Sequence, residues 1–258
     1  MSSDNRYDLI AVGAHPDDVE VGTGGVLLKM AEMGYRTGII YLTQGEMGTG
    51  GTPEIRGRES LAAAQIMKTD LLETLDLGDT KLVDTPENRN ILAELIRKYQ
   101  PTLLLAPWPR GGHGKRGAHA DHLAAGSIAM NACYYATFKK LPIAGEPFHV
   151  SALFHYFLPV EEPPTFVVDI TEQFDSWIAA LSAHESQFLN PEKPKTRDYL
   201  WNLETMARNY GTMIGVKYGQ GFKIGEPMAI EDLFCLVSGE RAHCRRTLAY
   251  NPATRRME

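Results

Sequence analysis

Short apolar runs alternate with amphipathic stretches along the first half of the chain. Four runs are typical of buried strands: Leu9–Val12, Thr37–Leu42, Leu72–Leu77 and Thr102–Ala106. The stretches that follow them place apolar residues at helical spacing, which predicts helices at about Thr23–Met33, Glu54–Lys68, Pro86–Tyr99 and Asp121–Ala136. Alternating strands and helices imply right-handed crossovers and a mainly parallel sheet. We therefore expect a Rossmann-like, doubly wound α/β fold with helices on both faces.

The second half of the chain is predicted to complete this fold with a C-terminal elaboration. Strands are expected at Ser151–Leu158 and Phe166–Ile170, and long helices at Thr171–Leu189 and Tyr199–Val216. The chain is interpreted as a single domain over residues 1–258. Residues 1–140 would form its core, residues 141–240 would complete it, and residues 241–258 would form a polar tail.

Composition narrows the class of protein. A hydrophobic content of 43% supports a large globular core, and a net charge of −6 disfavours nucleic acid as a partner. No apolar run approaches the roughly 20 residues that span a bilayer, and the polar N-terminus does not resemble a signal peptide. The 3 cysteines include no C-x-x-C pair, which argues against a disulfide framework. A cytoplasmic protein without membrane partners is expected.

Two polar motifs follow predicted strands. His15, Asp17 and Asp18 come directly after the first strand, while His119-Ala120-Asp121-His122 opens the helix after the fourth. Open α/β sheets bind ligands at the carboxyl ends of their strands, so we expect these motifs to meet. For each motif alone, the competing interpretation is a polar helix start, since acidic residues and proline are favoured in a first turn.

Together, the motifs predict a metal site. His15 and Asp18 are three residues apart, and a histidine of the second motif would complete a face of two imidazoles and one carboxylate. That ligand set suits catalytic zinc but also iron(II), so the pattern leaves the metal open. Asp17 projects differently and is free to accept a proton from water, and Asp121 could orient an imidazole.

Other functions remain possible at this point. The same ligands would serve a non-haem iron(II) oxygenase. The α/β order and the glycines of Gly22-Thr23-Gly24-Gly25 suggest a nucleotide-binding module. However, the first turn lacks the G-x-G-x-x-G motif of such modules. A metal-binding protein without activity would leave Asp17 unexplained. The glycine-rich Pro107–Ala118 stretch, with Arg110, Lys115 and Arg116, is either a solvated loop or a lid for an anionic substrate.

The motifs resemble those of a known family. A-H-P-D-D-V-E and A-H-A-D-H, together with L-T-Q-G-E-M-G-T, G-T-P-E-I-R, A-H-E-S-Q-F and G-V-K-Y-G-Q-G-F, are similar to the LmbE-like, or PIG-L, family of zinc-dependent N-acetylglucosamine deacetylases. The later stretches resemble the branch that deacetylates N-acetylglucosaminyl-malate in bacillithiol biosynthesis. The resemblance implies hydrolysis of the N-acetyl group of a glucosamine conjugate, most simply that malate conjugate, or another N-acetylglucosamine derivative.

The resemblance also implies roles for single residues. Zinc would be bound by His15, Asp18 and His122. Asp17 would be the general base, His119 would stabilise the oxyanion, and Asp121 would hold His119.

Substrate binding and assembly are likewise implied by the resemblance. Arg56 and Tyr199 match positions associated with substrate binding, and a homo-oligomer, such as a hexamer, is expected. Ala120 departs from the family pattern, because relatives in the malate branch often carry proline there.

Overall fold

The computed structural model describes residues 5–111, 118–159, 161–189 and 195–230, with backbone only for 195–198, and the backbone of 250–251 and 256–257. The chain divides into two compact units, residues 1–225 and 226–258. In the second unit, Tyr250–Asn251 and Arg256–Met257 form an antiparallel pair. Residues 112–117 of the predicted lid and most of the predicted tail lie outside the described residues.

The elements of the first unit follow the predicted alternation. Its strands are β1 (Leu9–Gly13), β2 (Thr37–Tyr41), β3 (Asp70–Thr74), β4 (Leu103–Pro107), β5 (Ala152–Tyr156), β6 (Phe166–Asp169) and β7 (Gly219–Ile224). Its helices are α1 (Asp18–Glu32), α2 (Pro53–Ile66), α3 (Pro86–Tyr99), α4 (Ala120–Thr137), α5 (Phe174–Ser182), α6 (Glu185–Phe188) and α7 (Lys195–Met213). A short 3-10 helix, Thr171–Gln173, precedes α5.

Among the described residues, one sheet organises the fold, with strand order β3-β2-β1-β4-β5-β7-β6. The strands from β3 to β5 are parallel, and β7 runs antiparallel to both β5 and β6. Because β2 and β4 flank β1 on opposite sides, the chain changes direction across the sheet between β1 and β4. This is a topological switch point, where doubly wound folds bind ligands. The predicted fold class is confirmed.

Side chains of β1 alternate between two apolar cores, as they must in a strand covered on both faces. Leu9 and Ala11 belong to the core formed with α1, α2, α5 and α7, whereas Ile10 and Val12 belong to the core formed with α3 and α4. At Gly22 of α1, an added Cβ would lie 2.1 Å from the Tyr156 ring. Glycine therefore allows α1 to approach the end of β5.

Several boundaries differ from those predicted. Helix α1 begins at Asp18 rather than near Thr23, because the chain turns sharply at Asp17. Strand β3 covers Asp70–Thr74 rather than Leu72–Leu77, in register with β2. The predicted helix Thr171–Leu189 is broken at His184, where the backbone leaves helical geometry and the imidazole is buried.

Strand β7 was not predicted at all. Its glycines, Gly219 and Gly221, weaken the strand pattern, yet the packing requires them, since added Cβ atoms would lie 2.6 Å from Val167 and 2.5 Å from Tyr210. None of the helices built from described residues has the length and apolarity needed to cross a bilayer.

Candidate active site

The turn between β1 and α1 places Asp17 in a strained conformation. Its φ is 118° and its ψ is −25°, a left-handed region that L-residues other than glycine seldom occupy. Strain of this kind costs on the order of 1 to 3 kcal/mol and persists only where neighbours hold it. Arg56 of α2 is such a neighbour, since it donates to the Pro16 carbonyl and lies 3.4 Å from Asp17 Oδ1.

Burial makes the Asp17 carboxyl less acidic than usual. Burial, with Asp18 and Glu20 nearby, raises the pKa of Asp17 to about 6, although the positive charges of Arg56 and His184 act in the opposite direction. A carboxyl whose pKa lies near neutrality is suited to accept a proton and return it. The Asp17 carboxyl can therefore exchange a proton near neutral pH.

The Asp18 carboxylate lies between two imidazoles. Its Oδ1 is 3.0 Å from Nε2 of His122, and its Oδ2 is 3.4 Å from Nδ1 of His15. The same Oδ2 accepts a hydrogen bond of 2.8 Å from the His15 backbone N–H. Burial opposes the charge on Asp18, but His122 and His15 outweigh it and hold the pKa well below its usual range.

Two further carboxylates face the other nitrogen of His15. Its Nε2 is 3.1 Å from Asp121 and 3.2 Å from Asp79. Both acids are anchored by backbone N–H donors, Asp121 by Thr80 at 2.7 Å and Asp79 by Met47 at 2.9 Å. Carboxylates in this position fix the ring orientation of a metal-binding histidine. The His15 Nδ1 is thereby directed towards Asp18.

These acids also change the basicity of His15. Burial disfavours its charged form, yet Asp18, Asp121 and Asp79 together raise its pKa to about 10. The carboxylates on both sides of the ring therefore favour its protonated form. A metal ion that binds at Nδ1 must displace a proton, which couples metal binding to pH.

His119 is exposed and lies at the start of α4. The Asp121 backbone N–H donates to its Nδ1 over 3.3 Å, so the neutral ring carries its proton on Nε2. Burial and the neighbouring His15 and His122 lower its pKa. A neutral imidazole with a free Nε2–H is a hydrogen-bond donor for an oxyanion. Asp121 contacts His119 through its backbone, while its carboxylate faces His15.

Behind Asp17 lies a fully buried ionic cluster. Glu20 Oε1 is 3.1 Å from Nε2 of His184 and accepts a hydrogen bond of 2.5 Å from the Tyr41 hydroxyl. Burial opposes the charge of His184, but Glu20 and Asp17 raise its pKa. The cluster ties α1 to β2 and to the segment before α6. Through Glu20, it anchors the first motif to these neighbouring elements.

A cavity of about 780 Å³ lies over the two motifs. Besides both motifs, it is lined by Met47 and Gly48 of the loop between β2 and α2, by Thr80, and by the aromatic residues Phe157, Phe188 and Tyr199. Aromatic walls with convergent polar groups are typical of small-molecule sites. The described residues thus form a cleft lined by the Asp17 carboxyl and by the imidazoles of His15, His119 and His122.

The cluster has suitable donors for a divalent metal ion. One ring nitrogen from each of His15, His119 and His122 lies within 4.8 Å of the other two, and one donor atom each from His15, Asp79 and Asp121 forms a second group within the same distance. Asp18 adds a carboxylate beside His15 and His122. Imidazole and carboxylate donors suit zinc and iron(II), so the residues fit the predicted group without identifying the ion.

Comparisons with known proteins agree with this site. The family model described as PIG-L, GlcNAc-PI de-N-acetylase, matches residues 10–133, which include both motifs. Diacetylchitobiose deacetylase of Thermococcus kodakarensis is 31% identical over 230 residues, covering 83% of this chain and 82% of the relative. The chain belongs to the PIG-L deacetylase family.

Other similar proteins extend the likeness over most of the chain. A probable N-acetyl-alpha-D-glucosaminyl L-malate deacetylase 2 of Bacillus anthracis is 27% identical over 207 residues, covering 76% of this chain and 88% of the relative. Among solved structures, the conserved protein TT1542 from Thermus thermophilus is 38% identical, with a TM-score of 0.76, and covers 87% of this chain and 97% of that one.

The two residues predicted to bind substrate both line the cavity, but they differ in availability. Arg56 is only 4% exposed and is engaged by Pro16, Asp17 and the Gly45 carbonyl, to which it donates over 3.0 Å. Tyr199 is 37% exposed and stacks on Phe188, with ring centroids 5.6 Å apart. In this arrangement Arg56 supports the Asp17 turn, whereas Tyr199 faces the cleft.

Sequence reasoning assigned no role to Asp79, Glu20 or His184. Asp79 follows β3 in the stretch Leu77-Gly78-Asp79, and its position after a parallel strand was the available signal. Glu20 stands in the first motif, yet only the fold shows that it meets His184. No spacing in the sequence connects those two residues.

Proposed function

We propose that this protein hydrolyses the N-acetyl group of an N-acetylglucosamine conjugate, releasing acetate and a free amine. The observation that carries the proposal is the strained Asp17 carboxyl beside the Asp18 carboxylate, which two imidazoles flank within 3.4 Å. The family and its deacetylase relatives support the reaction class.

The proposed metal ligands are Nδ1 of His15, the Asp18 carboxylate and Nε2 of His122. When bound there, a zinc ion would supply Lewis acidity and lower the pKa of water to about 7. Asp79 and Asp121 would keep His15 in the orientation that presents Nδ1. Iron(II) fits the same donors, and reconstitution with each metal would decide between them.

Protons are moved by the side chains of this chain. The Asp17 carboxylate accepts a proton from the attacking water, and His119 donates a hydrogen bond from Nε2 to the carbonyl oxygen as negative charge develops. The protonated Asp17 then delivers its proton to the leaving nitrogen. The Asp121 backbone N–H keeps the His119 proton on Nε2 throughout.

The malate conjugate stays a prediction. Its carboxylates call for cationic partners, and Arg56 is the only lysine or arginine among the described residues that line the cavity. Its guanidinium is already engaged by Pro16 and Asp17. Lys115 and Arg116 of the predicted lid lie outside the described residues.

Amine release from N-acetylglucosaminyl-malate, diacetylchitobiose and N-acetylglucosamine tests the function. We expect release from at least one, loss of activity after chelation, and recovery with zinc. The matched experiment uses the protein loaded with iron(II) under nitrogen, because amine release without oxygen would exclude an oxygenase. Absence of amine from all three substrates with metal bound would overturn the proposal.

The expected homo-oligomer is a separate proposal, which rests on the family resemblance. Sedimentation velocity of the purified protein tests it. A single species of monomer mass at micromolar concentration would contradict it.

A further inference from the structure

A second cavity lies beside the active-site cleft. Its volume is about 430 Å³, and we call it the side chamber. It is lined by the start of α1, by α7 and β7, and by Phe157, Leu158 and Trp177. The two cavities share Val21, Phe157 and Tyr199. The cleft and the side chamber therefore adjoin along these residues.

The walls of the side chamber are uncharged. Its described lining is mainly apolar and aromatic, including Leu203, Ala207 and Tyr210, and its polar members, such as Asn202 and Thr205, are neutral. No aspartate, glutamate, lysine, arginine or histidine belongs to that described lining. Apolar surface of this kind favours apolar ligand surface.

One buried polar group in the lining lacks a partner. Gln220 of β7 is 4% exposed, and its Oε1 accepts a hydrogen bond of 2.9 Å from the Val26 backbone N–H. Its Nε2 has no hydrogen-bond partner in the described part of the protein. This nitrogen is itself buried, so Gln220 presents no accessible donor to the chamber and adds no charge to its lining.

An anion finds no charged partner among the residues described around the side chamber. The nearby cation, Arg56, is already engaged by Pro16 and Asp17. A carboxylate placed in the chamber would lose hydration without gaining a charged partner.

We propose that the side chamber binds the aglycone of the glucosamine conjugate and selects one that is uncharged and mainly apolar. This inference rests on the proposed deacetylation. It assigns the polar cleft to the acetamido sugar and the side chamber to the attached group.

Matched glycosides test the selection. The kcat/KM for amine release is measured with methyl, hexyl and 5-carboxypentyl glycosides of N-acetylglucosamine. A buried methylene is worth up to about fourfold, corresponding to about 0.8 kcal/mol, so we expect the hexyl glycoside to exceed the methyl glycoside by at least about tenfold. The carboxypentyl glycoside, equal in length, should lose most of that gain. Equal values for the hexyl and methyl glycosides, or a carboxypentyl value as high as hexyl, would overturn the inference.

Two threonines of α7 offer a matched pair of variants. Thr205 lines the side chamber and Thr212 does not. Both are exposed, and their hydroxyls donate to backbone carbonyls of the helix, at 2.9 Å and 2.7 Å. Thr205→Trp should lower kcat/KM for the hexyl glycoside about tenfold and leave the methyl glycoside within about twofold. Thr212→Trp should change neither.

The outcomes separate this inference from the proposed function. Failure of the metal-loaded protein to deacetylate any glycoside, the methyl glycoside included, would remove the proposed function. Deacetylation of all three without a chain-length effect, or equal responses to Thr205→Trp and Thr212→Trp, would remove only the role of the side chamber.

Discussion

Two buried histidines, both near the carboxyl ends of strands of the sheet, have pKa values shifted in opposite directions by their surroundings. His15 follows β1 and is 9% exposed, and His155 lies in β5 and is 2% exposed. The pKa of His15 is raised to about 10 against the effect of burial, because Asp18, Asp121 and Asp79 surround it. The pKa of His155 is lowered, because burial dominates.

Burial alone therefore does not decide whether the pKa of a histidine is raised or lowered. His155 Nδ1 donates to the Pro107 carbonyl over 3.0 Å, and its ring packs against Trp108 at 5.1 Å between centroids. These contacts satisfy a neutral imidazole, whereas the β1 region gathers charges that a folded core would otherwise avoid. Substitutions in the β1 region should alter chemistry, and those in the β5 region should alter stability.

The largest effect is expected from Asp17→Asn. Asparagine is nearly the same size and tolerates a left-handed backbone, so the turn should persist, but the amide cannot accept the proton. We expect kcat to fall about 10²- to 10⁴-fold with metal content unchanged, measured by amine release and metal analysis. Asp76→Asn, at an exposed position, is the control. Full turnover by the Asp17 variant would show that the base lies elsewhere.

A smaller effect, on zinc affinity, is expected from Asp79→Asn. This variant distinguishes an orienting role of Asp79 from direct metal binding. If Asp79 orients His15 through Nε2, zinc affinity should fall about 10- to 100-fold, as measured by competition with a chromophoric chelator. If His15, Asp79 and Asp121 themselves hold the ion, binding should be lost far more completely. Unchanged affinity would contradict both roles, and a thermal melt would verify that the variant folds.

The smallest effect is expected from His155, whose titration should make the free energy of unfolding depend on pH. Because the folded-state pKa lies below the unfolded value of about 6.5, the unfolded chain binds more protons as pH falls below 7. The free energy of unfolding should therefore decrease towards pH 5, by on the order of 1 kcal/mol from this residue. Denaturant unfolding at pH 7 and pH 5 measures it.

The variant His155→Gln is the comparison for that experiment, because glutamine is not protonated in this range. It should be less stable than the parent at pH 7 and should show a weaker loss between pH 7 and pH 5. An equal pH dependence in both proteins would place the titrating group elsewhere.

Much of the fold was predictable from local pattern. The apolar runs at β1, β2 and β4 have helical stretches between them, so alternation alone indicated a parallel sheet. Strand β7 was not predicted because Gly219 and Gly221 carry no side chains with which to form a strand pattern. The break at His184 was not predicted because helical spacing continues on both sides of it.

The sequence by itself determined the α/β class and the two motifs, because each motif is a short run of chemically distinctive residues directly after an apolar strand. Only the tertiary structure decided which groups surround them. Asp79 meets His15, and His184 meets Glu20, because separate segments converge at the switch point of the sheet. The uncharged side chamber has the same origin: α1, α7 and β7 are distant in sequence, and packing alone brings their surfaces together.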